Sequence, residues 1–366
     1  MIDYHRFIGK YSYKISQFHR TVPKGYENIM TEEQFPIESS VLSSKALNCF
    51  IKETYFTDCS PSICVLQHRG VNDTYLFKHD DNEYYFKVYY YGLRTFEELQ
   101  AEVEIVNHLK KDRISVSFPL ETKAGHYIVK LNAPEGKRFG ILYSAATGIC
   151  VSNDAITDAM TKNLGAYFGR IHKSWDRIVK PVNRWKIDLK TFVDDSLEYM
   201  TPLKNYCSFD FQFIEEVAQA TKDSIYKLDK QKILSSGLCH GDFYAGNIHF
   251  DEQKAPTLFD FDFSGYGWRA YDLSVFLGAF GWGCSRKAIE KRAIRKDIFF
   301  KEYMQYNQMN EREIESIFLF VPFRRIFNFG RLYAYFSESW GNDCLAQNFN
   351  EDICYLKKWV GAYGMV

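Results

Sequence analysis

The sequence has no excess of charge of either sign, no closely paired cysteines and no long apolar run. Its 46 Lys and Arg balance 46 Asp and Glu, which argues against binding of nucleic acid or an anionic membrane through a broad basic surface. Its nine Cys stand singly without a CxxC pair, which disfavours a secreted disulfide framework. No segment approaches the roughly 18 apolar residues of a membrane span, and the first residues lack the apolar stretch that is typical of a signal peptide. We therefore expect a cytoplasmic protein with no nucleic acid or membrane partner.

Patterns along the 366 residues divide the chain into three parts. Residues 1–62 carry no repeat and one possible helix, around 38–56, so the role of this N-terminal extension is not readable. Residues 63–144 contain short β-like runs separated by turn-forming segments, with one helical segment near 95–109. Residues 145–366 show mainly helical periodicity with one strand-like interruption. These patterns predict an α+β protein, in which a small antiparallel sheet with one helix precedes a larger, mainly helical part.

The strand-like interruption contains the segment HGDFYAGN, which begins at His240. Its Asp242 and Asn247 are followed by Asp260 in the apolar run TLFDFDF. In phosphoryl transfer, one carboxylate orients the acceptor hydroxyl and accepts its proton, while an Asn and a second carboxylate hold Mg²⁺ on the nucleotide phosphates. The spacing of these residues suits that division of roles. A turn capped by Asp would explain HGD alone, but it leaves Asn247 and the acidic run unexplained.

The run TLFDFDF also raises the question of a second acidic residue at the metal. As a strand, it would place Asp260 and Asp262 on one face and the Phe rings on the other. Acids that share a face favour a bound cation. The sequence leaves open whether Asp262 is a second metal ligand or a hydrogen-bond acceptor.

A cation for the nucleotide phosphates is expected from Lys87 in the strand YYFKVYY. The alternative is an edge-strand Lys that reaches solvent. In the helical segment FEELQAEVEIVNHL, Glu102 falls within the apolar stripe, whereas Glu104 points to the opposite side. A carboxylate on a buried face needs a cation, so we predict that Glu102 pairs with Lys87.

HGDFYAGN and FDFDFSGYGWRAYDL, with Lys87 and Glu102 upstream, resemble the aminoglycoside phosphotransferase and choline kinase superfamily over roughly residues 63–283. The resemblance implies a two-lobed protein-kinase-like fold. The nucleotide-binding N-lobe would span residues 63–144, and the catalytic and substrate-binding C-lobe residues 145–366. ATP and Mg²⁺ are the implied cofactors.

The resemblance also implies a role for each residue of the motifs. Asp242 would be the catalytic base, and Asn247 and Asp260 would bind Mg²⁺. Lys87 would bind the nucleotide phosphates, and Glu102 would orient Lys87.

The resemblance implies structural roles for polar residues around the motifs. Asp272 would fix the catalytic loop by hydrogen bonds, and His240 would brace the same loop. His172 matches a helix position of the family and is expected to be a packed core residue.

The nucleotide-binding elements resemble the family less closely. HRGVNDTYLF stands where a phosphate-covering turn belongs but is not rich in Gly, so Gly70, Asn72 and Thr74 are weak candidates, with an ordinary polar turn as the alternative. ILYSAATG resembles the segment that connects the lobes, where backbone groups near Ser144 and Ala146 would meet adenine.

We predict an ATP-dependent, Mg²⁺-requiring phosphotransferase that acts on a hydroxyl of a small molecule, such as an aminoglycoside-like compound, an amino alcohol, an amino acid or a sugar. A protein Ser/Thr kinase of the same superfamily is the first alternative. Residues 261–271 are too few to form the peptide platform of protein kinases, which favours a small acceptor. A nucleotide-binding pseudokinase that serves as an interaction module is the second alternative, although the intact set of site residues argues against it. The oligomeric state is not readable.

Overall fold

The computed structural model describes residues 37–205, 209–279, 284–334 and 342–364 of the chain, without the side chains of residue 205 and of residues 332–334 and 342–348. Residues 1–36 of the predicted N-terminal extension lie outside this description. No helix within the described ranges is long and apolar enough to cross a membrane.

A five-stranded antiparallel sheet with the strand order β1-β2-β3-β5-β4 follows the first helix. Short turns join β1 to β2, β2 to β3 and β4 to β5, whereas a helix and β4 lie between β3 and β5 along the chain. The strands are β1 (Ser62–Arg69), β2 (Asp73–His79), β3 (Asn82–Val88), β4 (Ile128–Ala133) and β5 (Gly136–Ser144).

Helix α1 (Ser44–Tyr55) covers one face of the sheet. Its Leu47 and Ile51 are buried against the β2 and β3 rings of Phe77 and Phe86. Successive residues of a strand point to opposite faces, so Lys87, which follows Phe86, is directed to the face away from α1. The helix predicted around 38–56 is therefore present, and it closes the back of the sheet.

Helix α2 (Phe96–Lys111), which the sequence predicted as a helix with an apolar stripe, lies on the other face of the sheet. It begins in a capping box, in which the Thr95 side chain accepts from the Glu98 backbone N–H and the Glu98 side chain accepts from the Thr95 N–H. Its Leu99 and Val103 pack with residues of β5. This packing places the buried side of α2 next to Lys87.

The rest of the described chain is mainly helical, which confirms the α+β class. The helices are α3 (Asp158–Trp175), α4 (Asp195–Met200), α5 (Phe211–Lys230), α6 (Arg269–Gly278), α7 (Arg286–Tyr303), α8 (Glu311–Glu315), α9 (Phe320–Phe327) and α10 (Asn342–Tyr363). Short π-helical turns precede α4 and follow α9. The largest hydrophobic cluster lies among these helices, with α3 packed along α7 and α6 packed against α9.

Two small three-stranded sheets carry the motif segments within the helical part. One has the order β10-β9-β6 and the other the order β7-β11-β8. Within this helical part, the sequence predicted strands only in the motif stretch. Strands β6 and β7 lie outside that stretch, and each has only two residues, too few to produce a periodic pattern. The strands are β6 (Ile149–Cys150), β7 (Lys186–Ile187), β8 (Ser236–Cys239), β9 (Ile248–Phe250), β10 (Pro256–Leu258) and β11 (Gly265–Trp268).

The packing of α1 predicts that this helix stabilises the sheet. Ile51 has no exposed surface, so replacing it with Ala removes buried methylenes and leaves a cavity that costs about 2–5 kcal/mol. We expect Ile51→Ala to lower the free energy of unfolding by that amount in denaturant titrations followed by circular dichroism. Ile63→Ala is the matched control: Ile63 is 56% exposed, and its loss should change stability by less than about 0.5 kcal/mol. Equal effects of the two variants would contradict the packing role of α1.

Candidate active site

The segment HGDFYAGN forms a loop between β8 and β9 that is fixed by buried Asp272 of α6. Asp272 Oδ2 accepts a hydrogen bond from the His240 backbone N–H at 2.8 Å, and Oδ1 accepts one from the Gly241 N–H at 2.8 Å. Gly241 has a φ of +80°, and a Cβ there would lie 2.1 Å from the Phe263 carbonyl oxygen. The loop thus requires glycine at this position, and Asp272 has the fixing contacts that the sequence comparison implied.

Both histidines near the loop lie in structural positions. His172 Nε2 is 3.0 Å from Asp272 Oδ2, and its Nδ1 is 2.8 Å from the Tyr303 hydroxyl. Burial lowers the pKa of His172 to about 4, so the ring is neutral at physiological pH. His240 Nε2 is 3.1 Å from the Phe259 carbonyl oxygen and its Nδ1 accepts from the Asp242 N–H at 3.3 Å. His240 braces the loop as the resemblance implied, and His172 is the packed core residue that was expected, with a contact to the Asp272 that fixes the loop.

Asp242 lies at the partly open end of the loop, with 15% of its side chain exposed. Its Oδ2 accepts a hydrogen bond from Asn247 Nδ2 at 3.1 Å, and the same amide donates to the Asp242 carbonyl oxygen at 3.0 Å. Burial raises the pKa of Asp242 above its usual value, although the charge of Arg324 works in the opposite direction. The structure therefore brings two of the predicted residues, Asp242 and Asn247, into direct contact.

Arg324 of α9 contacts the Asp242 carboxylate and was not found from the sequence. Its Nη2 lies 2.5 Å from Asp242 Oδ1, and its Nη1 donates to the Gly241 carbonyl oxygen and the Tyr271 hydroxyl at 3.1 Å each. A signal was present, because Arg324 shares the inward helical face with Phe320 and Phe327. An Arg on a buried stripe needs an acidic partner, by the same reasoning that selected Glu102.

Lys87 and Asp260 form the second pair of the site. Lys87 Nζ is 2.6 Å from Asp260 Oδ1. Burial disfavours the ammonium, but the charges of Asp260, Asp262 and Glu102 outweigh this effect and hold the pKa of Lys87 above its usual value. Lys87 is therefore charged, buried and directed toward the loop that carries Asp260.

The predicted strand over TLFDFDF is wrong beyond Leu258, where β10 ends. Asp260 has a φ of +62°, in the left-handed region that interrupts the alternation of a strand. As a result, Asp260 and Asp262 do not share a face. Asp260 is 41% exposed at its side chain, whereas Asp262 is 1% exposed and its Oδ1 accepts from Arg94 Nε at 2.9 Å.

The predicted direct pair of Lys87 and Glu102 is also not what the structure shows. Glu102 is 1% exposed, as its place in the apolar stripe predicted, and Glu104 is exposed. However, Glu102 Oε1 accepts from the Tyr89 and Tyr143 hydroxyls at 2.7 and 2.8 Å. Helical periodicity identified the buried face correctly, but it carries no information about which donors of the sheet reach that face.

Tyr89 links Glu102 to Lys87 without a direct ion pair. The Lys87 ammonium lies 5.0 Å from the centroid of the Tyr89 ring, within the range of a cation–π interaction. The hydroxyl of the same ring donates to Glu102. Glu102 thus orients a ring that in turn contacts Lys87.

The nucleotide-binding candidates lie on two different segments. Gly70 and Asn72 are in the turn between β1 and β2, and Thr74 of β2 is the direct cross-strand partner of Lys87. Cross-strand partners share a face, so Thr74 lies beside Lys87.

Ser144 is the last residue of β5, and Ala146 follows the end of this strand. The Ser144 N–H donates to the Phe118 carbonyl oxygen at 2.9 Å, and the Ser144 carbonyl accepts from Ser117 Oγ at 2.6 Å. The Ala146 carbonyl lies 3.1 Å from His249 Nδ1. These three backbone groups have protein partners in the structure. The adenine contact near Ser144 and Ala146 stays a prediction.

Oxygen ligands suited to Mg²⁺ gather next to Asp242. The Phe259 N–H donates to the Asn247 carbonyl oxygen at 3.1 Å, which holds the residue before Asp260 against Asn247. The described residues contain no group of three or more His, Cys, Asp and Glu that would hold a metal by itself. Mg²⁺ typically takes only one or two carboxylates and completes its shell with water and phosphate oxygens, so Asn247 and exposed Asp260 fit this ion with a nucleotide.

Comparison with known proteins places this site in a family context. The model of the phosphotransferase enzyme family matches residues 63–295. That range contains all the motif residues proposed for chemistry, while Arg324 lies beyond it.

Curated relatives include an uncharacterised protein of Synechocystis, which is 30% identical over 245 residues, or 67% of each chain. Amicoumacin kinase of Bacillus subtilis is 26% identical over 272 residues, which cover 72% of this chain and 78% of the relative.

Solved structures of kinases have the same fold. An amicoumacin kinase in complex with AMP-PNP, Ca²⁺ and Ami superposes with a TM-score of 0.66 at 20% identity, covering 85% of this chain and 93% of that chain. A microcompartment-associated aminopropanol kinase superposes with a TM-score of 0.69 at 15% identity, covering 86% and 95%.

The contacts of Asp242 predict that its substitution lowers turnover without weakening nucleotide binding. We expect Asp242→Asn to lower kcat for phosphate transfer at least about a hundredfold, because the amide cannot accept the proton of the acceptor hydroxyl. The nucleotide dissociation constant, measured by calorimetry, should stay within about twofold. Asp223→Asn, on the exposed side of α5, is the control and should match the wild type. Normal turnover of Asp242→Asn would remove this carboxylate from the reaction.

The exposed carboxylate of Asp260 predicts a different phenotype. We expect Asp260→Ala to abolish the gain in nucleotide affinity that Mg²⁺ provides, since the cation loses its charged protein ligand. Calorimetric titrations with ATP in Mg²⁺ and in EDTA measure this gain directly. A gain equal to that of the wild type would contradict metal binding by Asp260.

Proposed function

The chain belongs to the phosphotransferase enzyme family, and we propose that it transfers the γ-phosphate of ATP to a hydroxyl group of a small molecule with the help of Mg²⁺. One observation carries this proposal. Asp242 in contact with Asn247 and Lys87 in contact with Asp260 supply a base, metal ligands and a phosphate-binding cation at one place. Phosphoryl transfer needs this combination.

The proposed mechanism assigns one step to each group. Lys87 binds phosphate oxygens of the nucleotide, and Asn247 and Asp260 would hold Mg²⁺, which would neutralise phosphate charge when bound. Asp242 orients the acceptor hydroxyl and takes its proton as the hydroxyl oxygen bonds to the γ-phosphorus. The bond from that phosphorus to the bridging oxygen of the β-phosphate breaks, and ADP leaves.

Arg324 fits this mechanism as a group that acts on the base. Its contact at 2.5 Å favours the ionised carboxylate and fixes the position of Oδ1. Oδ2, which has only the amide of Asn247 as a partner in the described residues, is then the oxygen that we assign to the acceptor hydroxyl.

A short connection between Asp260 and α6 supports a small acceptor over a protein. Helix α6 begins at Arg269, and residues 261–268 include the strand β11. This connection leaves little chain for the activation segment on which protein kinases hold a peptide. The kinship with amicoumacin kinase and the shared fold with an aminopropanol kinase support an acceptor that combines a hydroxyl with an amine.

The intact site argues against a pseudokinase that only binds nucleotide. A protein without activity has no need to keep a base paired with an amide and a metal-binding carboxylate paired with a lysine. The set Lys87, Asp242, Asn247 and Asp260 is complete and its members are paired.

The proposed function predicts transfer of label from γ-labelled ATP to one member of a panel of hydroxyl compounds. The panel contains amicoumacin, aminopropanol, choline, homoserine, aminoglycosides, sugars and a folded protein. We expect a small amino-hydroxyl compound to react with a kcat/KM of about 10⁴ M⁻¹s⁻¹ or more, and the label to be absent with Asp242→Asn. Efficient labelling of the protein with every small compound inert would overturn the assignment.

A further inference from the structure

The carboxylate of Asp262 is bound by groups from two separate segments beside the sheet. Its Oδ2 accepts from Asn72 Nδ2 at 2.8 Å, and its Oδ1 accepts from Arg94 Nε at 2.9 Å. Arg94 Nη2 also donates to the Asp262 carbonyl oxygen at 3.0 Å. Each carboxylate oxygen of this buried residue therefore has a strong protein donor.

Asn72 connects Asp262 to the turn between β1 and β2. While its Nδ2 donates to Asp262, its Oδ1 accepts from the Tyr90 backbone N–H at 2.9 Å. Asn72 is buried, and Gly70 of the same turn donates to its carbonyl oxygen at 3.2 Å. One amide thus joins the turn, the end of β3 and the loop after Asp260.

Arg184 connects the same loop to α2. Its guanidinium donates to the carbonyl oxygens of Phe261, Asp262 and Ser264. It also donates to the Glu98 carbonyl oxygen at 3.1 Å, and its Nη1 is 3.6 Å from Glu102 Oε2. The Arg184 side chain is 1% exposed and enters from the helical part of the chain, just before β7.

These contacts make the turn, α2 and the loop 261–264 mechanically dependent on each other. Removing one member of a buried ion pair leaves an uncompensated charge, which is strongly unfavourable. A displacement of the loop would break the contacts of Asn72, Arg94 and Arg184 together. Asp260 stands at the start of this loop, so its position relative to Lys87 depends on the same contacts.

We propose that Asp262, Asn72, Arg94 and Arg184 form a clamp that positions the β1–β2 turn and Asp260 for nucleotide binding, and that Asp262 is not a metal ligand. The nucleotide role of the turn rests on the proposed function. The clamp itself consists of contacts that exist without a ligand.

The first test separates positioning from metal binding. We expect Asp262→Ala to raise the dissociation constant of ADP at least about tenfold in calorimetric titrations in EDTA, where no metal ligand acts, and at least as much with Mg²⁺. A loss confined to Mg²⁺, as expected for Asp260→Ala, would make Asp262 a metal ligand and overturn the proposal.

Asp352→Ala is the matched control, because Asp352 is a buried carboxylate that Arg325 binds in the helical part. It should leave ADP binding unchanged even if it lowers thermal stability by the same amount. An equal loss of ADP affinity in the control would show that Asp262 acts only through general stability.

A double-mutant cycle tests the turn and does not require Asp262→Ala to fold well on its own. Asn72→Ala alone should also raise the ADP dissociation constant at least about fivefold, and the double variant should not exceed the larger single effect. Additive effects would show that Asn72 and Asp262 act separately. If Asp262→Ala does not fold, wild-type affinity of Asn72→Ala overturns the clamp.

Hydrogen exchange of the ligand-free protein distinguishes failure of the clamp from failure of the proposed function. We expect Asn72→Ala and Asp262→Ala to increase amide exchange in both the 69–74 and 259–264 segments, with no change there in Asp352→Ala. Exchange that rises only at the substituted segment would refute the coupling. If the wild type bound no nucleotide, the proposed function would fail, while the exchange result would still decide on the clamp.

Discussion

Carboxylates buried where the sheet meets the helical part must be neutralised, and the architecture of the site follows from how each one is satisfied. Asp272 is satisfied by backbone N–H groups of the loop and by His172. Asp262 is satisfied by Arg94 and Asn72, and Glu102 by tyrosine hydroxyls with Arg184 nearby. Because an unpaired buried charge is costly, these contacts fix the loop, the turn and α2 relative to one another.

Asp242 and Asp260 differ from these buried carboxylates in a way that suits chemistry. Each keeps part of its side chain exposed, and each contacts one long cationic side chain, Arg324 or Lys87. A carboxylate in such a position is held in place, yet it can exchange a partner for a substrate hydroxyl or a cation. The division between buried and accessible acids thus corresponds to the proposed division between positioning and reaction.

The sequence predicted the features that depend on local periodicity and missed those that depend on distant partners. The strands of the sheet, α2 and the buried side of Glu102 follow from alternation and helical repeat, and all were confirmed. The relative orientation of Asp260 and Asp262 depends on a single left-handed residue, which no periodic pattern contains. Arg184 and Arg324 were missed because their acidic or carbonyl partners are distant along the chain.

Arg324 comes from a different part of the chain than the residues proposed to bind nucleotide and metal, so substrate selectivity and phosphoryl transfer are expected to depend on different elements. The residues proposed to bind nucleotide and metal all lie within residues 63–295, the range that the family model matches. Arg324, which contacts the proposed base, comes from α9 outside that range and lies near the rings of Phe263 and Phe327. An acceptor that reaches Asp242 therefore comes close to a cation contributed by α9. Selection among hydroxyl compounds is accordingly expected to depend on α9, while the phosphoryl donor depends on the sheet and its clamped loop.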